Sequence, residues 1–191
     1  MSACLPLLGW AAALQVQVVD DKGKPVPDAV VFLESPEAAK ATKPLSGMEM
    51  AQKDKSFVPD TLVVTRGTAV QFPNRDTVRH HVYSFSPTKR FELKLYIGTP
   101  ANPVVFDQAG VAVLGCNIHD EMIGWIVVVD TPHYGSTGAN GQLRLNDVPE
   151  GNYRLRVWHS HMAVGAPALD VPQRVGANGA SASVTLKGLA P

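Results

Sequence analysis

Seven residues, Cys116-Asn117-Ile118-His119-Asp120-Glu121-Met122, set a thiol, an imidazole and a thioether three residues apart. All three are metal donors. One thiolate and two imidazoles in a plane, with a weak axial thioether, is the set that suits copper in electron transfer. Only one imidazole lies in this stretch, so the second must come from elsewhere, and His80 is the candidate. The plain alternative is a buried cysteine, a surface histidine and a core methionine that are neighbours without a shared task. An apolar run, Val111–Gly115, precedes the stretch and another, Gly124–Val129, follows it. That pattern predicts two strands with the donors on the short loop between them.

The elements that must hold such a loop are short and numerous. Glycine (16) and proline (15) are frequent and scattered among the 191 residues, as expected of many strands joined by turns. Leu14–Val19, Phe91–Tyr96 and Tyr153–Trp158 alternate apolar with polar residues, which predicts half-buried strands. Strands are also expected over Pro25–Leu33, Phe57–Thr65, Thr68–Phe72, Val82–Phe85, Gln142–Leu145, Ala168–Val171 and Ala182–Leu186, with a further one within Met48–Gln52. Asn146–Gly151 reads as a turn, and residues 34–46 as a linker with one helical turn. No stretch longer than about ten residues has a helical period, so the chain is all-β.

Hydrophobic residues make up 45% of the chain, enough for a real core. The formal net charge is +0, which argues against non-specific nucleic-acid binding. No apolar run reaches the roughly 18 residues of a transmembrane span. Residues 1–13, with the apolar segment Cys4–Ala13, resemble the end of a secretory signal peptide without its basic start. A periplasmic or otherwise exported protein is therefore expected. Removal of the segment would leave Cys116 as a lone thiol in an oxidising compartment, with no internal disulfide open to it, and metal ligation would explain it.

Residues 47–130 resemble the cupredoxin, or blue copper, family. The resemblance is carried by Phe57-x-Pro59, Leu62-x-Val64-x-x-Gly67-Thr68-x-Val70-x-Phe72-x-Asn74-x-Asp76 and His80-x-Val82, then by Gly110, Cys116, His119, Met122 and the strand that follows. The Cys-x-x-His-x-x-Met spacing is most similar to amicyanin, and the block also looks like methylamine-utilisation-type cupredoxin-like proteins. The resemblance implies a Greek-key β-sandwich holding one type 1 copper through His80, Cys116, His119 and Met122. It places His80 rather than His81 as the first imidazole ligand, six residues after Asn74, and strand alternation allows only one of these neighbours to face the site. It makes Asn74 the residue that ties the His80 segment to the Cys116 loop, and leaves His81 a supporting place beside the ligands. It further implies a non-enzymatic carrier of single electrons between redox partner proteins, with His119 as the exit ligand and Ile118, Ile123 and Trp125 as an apolar rim. A copper storage, delivery or resistance protein is the alternative.

The flanks resemble a carboxypeptidase-regulatory-like sandwich, through Gln17–Leu33 and Gly138–Val157. The expected organisation is a small sandwich split into residues 14–46 and 131–191, with the cupredoxin domain inserted between the parts. Asp120 and Glu121 set two negative charges beside His119. They form either a solvated loop tip or a steering patch for a basic partner. His159-Ser-His161 would share one face of a strand, and with His133 these histidines are the only candidates for a second metal site.

Overall fold

The structure, a computed structural model, describes residues 12–190. Most of the signal-like segment therefore lies outside the described residues. Its last two residues, Ala12 and Ala13, open a strand, β1 (Ala12–Asp20), which is followed by β2 (Val30–Glu34) and a six-residue helix α1 (Pro36–Ala41). Next come β3 (Met48–Glu49), β4 (Ala51–Lys53), β5 (Ser56–Val58), β6 (Thr61–Thr65), β7 (Thr68–Gln71), β8 (His80–Ser86) and β9 (Lys89–Tyr96). The chain continues through β10 (Val104–Phe106), β11 (Gly110–Cys116), β12 (His119–Val129) and β13 (Tyr134–Ser136). It ends with β14 (Gln142–Val148), β15 (Gly151–Trp158), β16 (Leu169–Val175) and β17 (Ala180–Leu186). The all-β expectation holds.

Two compact units divide the chain. The first runs to Ser35 and resumes over His133–His159 and Ala168–Leu189. It contains a sheet of order β14-β1-β17 and a second of order β13-β2-β15-β16. Strand β1 runs antiparallel to β14, with Leu14 opposite Leu145, and parallel to β17, with Val16 opposite Ala182. Its alternate residues Leu14, Val16 and Val18 are buried, as period-2 patterning requires. Strand β14 runs to Val148, through residues expected to turn. Asp147 takes a left-handed conformation (φ 55°) there, one that aspartate tolerates better than most residues. Pro25 joins this unit only by an isolated bridge to Val19, so the second expected strand starts later, at Val30.

The second unit comprises Pro36–Pro132 and Ser160–Pro167, together with Ala190. Its larger sheet has the order β6-β12-β11-β8-β9, and a smaller one the order β10-β7-β3. Between them Phe72, Phe106, Leu114, Ile126 and Val82 are almost wholly buried. Phe91 caps this core, with its ring centroid 5.3 Å from Phe72 and 6.0 Å from Phe106. Each fully buried side chain of this size contributes about 1.5–3 kcal/mol. Residues 36–46 pack with this unit, since Thr65 Oγ1 donates to Lys43 O at 2.7 Å and Leu45 N donates to Thr68 Oγ1 at 2.9 Å. Strands β4 and β5 form a hairpin with a two-residue turn, Asp54 (φ 52°) and Lys55 (φ 56°). Two consecutive left-handed residues make the type I′ turn that matches strand twist.

Candidate metal centre

Strands β11 and β12 pair from Gly110 opposite Val128 to Gly115 opposite Ile123, after which Cys116 faces His119. One step along β11 thus spans four residues of β12. This irregularity lets the chain turn at Asn117-Ile118 and brings His119 back beside Cys116. Cys116 continues the inward face of Ala112 and Leu114, and Met122 that of Gly124 and Ile126. Both are buried, Met122 to 2% exposure. On the other side β11 pairs with β8, Cys116 opposite Val82. The turn residue Asn117 donates its amide to His81 O at 3.1 Å, tying the loop to β8.

These pairings gather three donors. Cys116 Sγ lies 3.7 Å from His80 Nδ1 and 3.6 Å from His119 Nδ1. The three ligand atoms all fall within 4.8 Å of one another. Two donors bound to one ion at roughly 2.0–2.3 Å stand about 3.5–3.7 Å apart at tetrahedral angles, so the observed spacing fits a shared metal. The imidazole rings of His80 and His119 are 5.0 Å apart, centroid to centroid. His80 is completely buried, whereas His119 is half-buried. Ile118 and Ile123 flank it, each 48% exposed, and Asp120 and Glu121 are exposed. Trp125 is half-buried on the same outer face of β12 as Ile123.

The segment before His80 is fixed by a dense set of hydrogen bonds. Asn74 Nδ2 donates to Val78 O (2.8 Å) and Tyr96 O (3.0 Å), and its Oδ1 accepts from Asp76 N (2.9 Å). Asn74 therefore closes its own turn and holds it to β9. The tie to the Cys116 loop expected of it is made by the Asn117 amide instead. Gln52 is wholly buried, and its Oε1 lies 2.5 Å from the Tyr96 hydroxyl, which is also 2.8 Å from Phe72 O. Burial drives the Tyr96 hydroxyl well above its usual range, against the opposing pull of Gln52, so it remains a neutral donor.

Two histidine–carboxylate contacts sit on successive residues of β8. His81 turns outward, where its Nε2 lies 2.8 Å from Glu92 Oε1 on β9. It does not reach the Cys116 cluster of donors. His80 turns inward, and its Nε2 lies 2.8 Å from Asp76 Oδ2. Asp76 also accepts the amide protons of Asp54 (2.6 Å) and Lys55 (3.0 Å), the two residues of the β4–β5 turn. Partial burial pushes its carboxyl upward. The bonds from Lys55, His80 and Asp54 outweigh that and hold it below the ordinary carboxylate range. A carboxylate four residues before the ligand candidate is the sequence signal of this contact.

The remaining histidines are arranged differently from expectation. Strand β15 ends at Trp158, so His159 is buried at the strand end and His161 lies in the turn beyond it. Alternation no longer puts them on one face. Among the described residues, the three-donor group around Cys116 is the one candidate metal cluster. No helix among them is long and apolar enough to cross a membrane.

No protein-family model and no curated protein matches the chain. Solved structures do. A purple cupredoxin from Nitrosopumilus maritimus is 22% identical, with 42% of this chain and 96% of that one covered and a TM-score of 0.37. A reduced Cu(I) form of an amicyanin variant is 22% identical, with 52% and 98% covered and a TM-score of 0.38. A copper-containing nitrite reductase from Thermus scotoductus SA-01 is 22% identical, with 60% of this chain but 28% of that one covered and a TM-score of 0.41. The chain is similar to cupredoxins in these stretches, and its own donors His80, Cys116 and His119 carry the functional reading.

Proposed function

We propose that this protein is an exported type 1 copper protein that carries single electrons between redox partners, with His80, Cys116, His119 and Met122 as its ligands. The observation that carries the reading is the convergence of one buried thiol and two imidazole Nδ1 atoms at 3.6–3.7 Å. The similarity to copper-bearing cupredoxins agrees with it. Bound copper would supply a one-electron couple whose two states accept the same trigonal donor set. Met122 is three residues beyond His119 on the inward face of β12, and its thioether would be the fourth donor.

The residues divide the work. His80 and Cys116 come from adjacent strands of a packed sheet, so their positions change little when the metal changes charge. That rigidity keeps reorganisation small. His119 lies half-buried between exposed Ile118 and Ile123, an apolar edge against which a partner docks transiently. The first unit is split in sequence around the metal-bearing unit. Pairing of β1 with both β14 and β17 supports an insertion of the metal-bearing unit into that sandwich.

The test is reversible cycling. A copper-loaded sample titrated with a one-electron mediator should be reduced and reoxidised repeatedly, with one electron per chain and no loss of metal. A protein that binds only Cu(I), or releases its copper on each cycle, is a delivery or storage protein and contradicts the proposal.

A further inference from the structure

Each ligand imidazole has two nitrogens, and the copper reading uses only Nδ1 of His80. Its Nε2 is 2.8 Å from Asp76 Oδ2, inside a site where His80 is 0% and Asp76 12% exposed. Asp76 cannot swing away easily, because the turn amides of Asp54 and Lys55 hold both of its oxygens. A carboxylate accepts and does not donate, so Nε2 of His80 must carry the proton, leaving the Nδ1 lone pair free towards Cys116.

We propose that Asp76 is a positioning residue of the metal centre: it locks His80 in the Nε2–H tautomer and holds a negative charge one imidazole away from the metal. The inference rests on the copper reading of the same site. A part-buried anionic partner makes the ligand more basic. It also favours the more highly charged, oxidised ion over the reduced one. Bound copper would exchange one electron with a redox partner, and Asp76 would act by its charge alone, making and breaking no bond. The neighbouring pair supplies an internal contrast. His81 and Glu92 are also 2.8 Å apart, but their side chains are 14% and 46% exposed and face away from the donors. Water screens that charge, and the His81 ring it meets is not among the clustered donors.

The experiment compares Asp76→Asn with Glu92→Gln by mediator titration of the copper-loaded proteins. Loss of an outer-shell partner changes metal affinity by roughly 10–100-fold. If the oxidised ion bears that loss, the reduction potential of Asp76→Asn rises by about 59 mV for each tenfold. Glu92→Gln should move it by much less. Equal shifts in the two variants would overturn the proposal, as would no shift in Asp76→Asn. A second measurement needs neither variant nor copper. Nitrogen-15 NMR of the metal-free wild-type protein should show His80 protonated at Nε2, and a proton on Nδ1 with Nε2 bare would overturn the proposal even if Asp76→Asn fails to fold. If the wild-type protein takes up no coloured Cu(II), the copper reading fails by itself, while the NMR result still judges the Asp76 contact.

Discussion

His80 and His119 present the same atom, Nδ1, to the same thiol at 3.7 and 3.6 Å, but from very different surroundings. His80 is wholly buried and fixed from behind by Asp76. The chain before it is pinned by Asn74, with Tyr96 and Gln52 beneath. His119 follows a two-residue turn and is half-buried, with exposed residues on either side. One side of the centre is built as framework and the other as an edge. The difference teaches how a single site can be rigid and still accessible. In the proposed role, geometry is fixed by residues far from solvent, and electron exchange falls to the imidazole that reaches it.

Removing each imidazole in turn should break the comparison most visibly. In His119→Gly the gap opens to solvent, so added imidazole should enter and restore most of the copper spectrum. In His80→Gly the gap is enclosed, and imidazole should restore little. Both losses of metal affinity should exceed the roughly 10–100-fold cost of losing an outer hydrogen-bond partner. Equal rescue of the two variants, read by absorbance during imidazole titration, would erase the distinction between framework and edge.

A smaller effect is expected from Tyr96→Phe, which strikes the framework alone. It strips the buried Gln52 Oε1 of its hydroxyl donor, and an unsatisfied buried group costs about 1–3 kcal/mol. Denaturant unfolding should show that loss. Ile118→Ser on the edge should stay within about 0.5 kcal/mol, as exposed substitutions do. The smallest effect is on the charges of the edge. Asp120→Asn with Glu121→Gln should slow electron exchange with a cationic one-electron complex by a few-fold at low salt, and the difference should vanish at high salt. Stopped-flow rates that ignore both the charges and the salt would make the two carboxylates a solvated loop tip and nothing more.

The legible part of this molecule was local. Cys116, His119 and Met122 announce themselves by spacing within seven residues, and alternation exposed most of the strands. Alternation puts only one of His80 and His81 inward, the resemblance points to His80 by its distance from Asn74, and the structure does turn His80 in and His81 out. The partners of those residues were less legible, because they depend on contacts between distant turns. Asp76 meets His80 only when the turn at residues 54–55 supplies two amides to hold it. The resemblance implies a bond from Asn74 to the Cys116 loop, but its short side chain is satisfied within its own turn and by Tyr96 O. Strong alternation before them predicts His159 and His161 on one strand face. Strand pairing ends at Trp158 opposite Val30, and past that point periodicity has no hold on the chain. Residues 146–148 err the other way. Asn and Asp signal a turn, yet pairing with β1 carries β14 to Val148.

The most direct test of the central claim is titration of Cu(II) into the metal-free protein, followed by optical absorption and electron paramagnetic resonance. The account predicts one copper per chain, an intense thiolate-to-copper band in the red and a narrow hyperfine splitting, all lost in a folded Cys116→Ser variant. A colourless complex, or a band that survives Cys116→Ser, would contradict it.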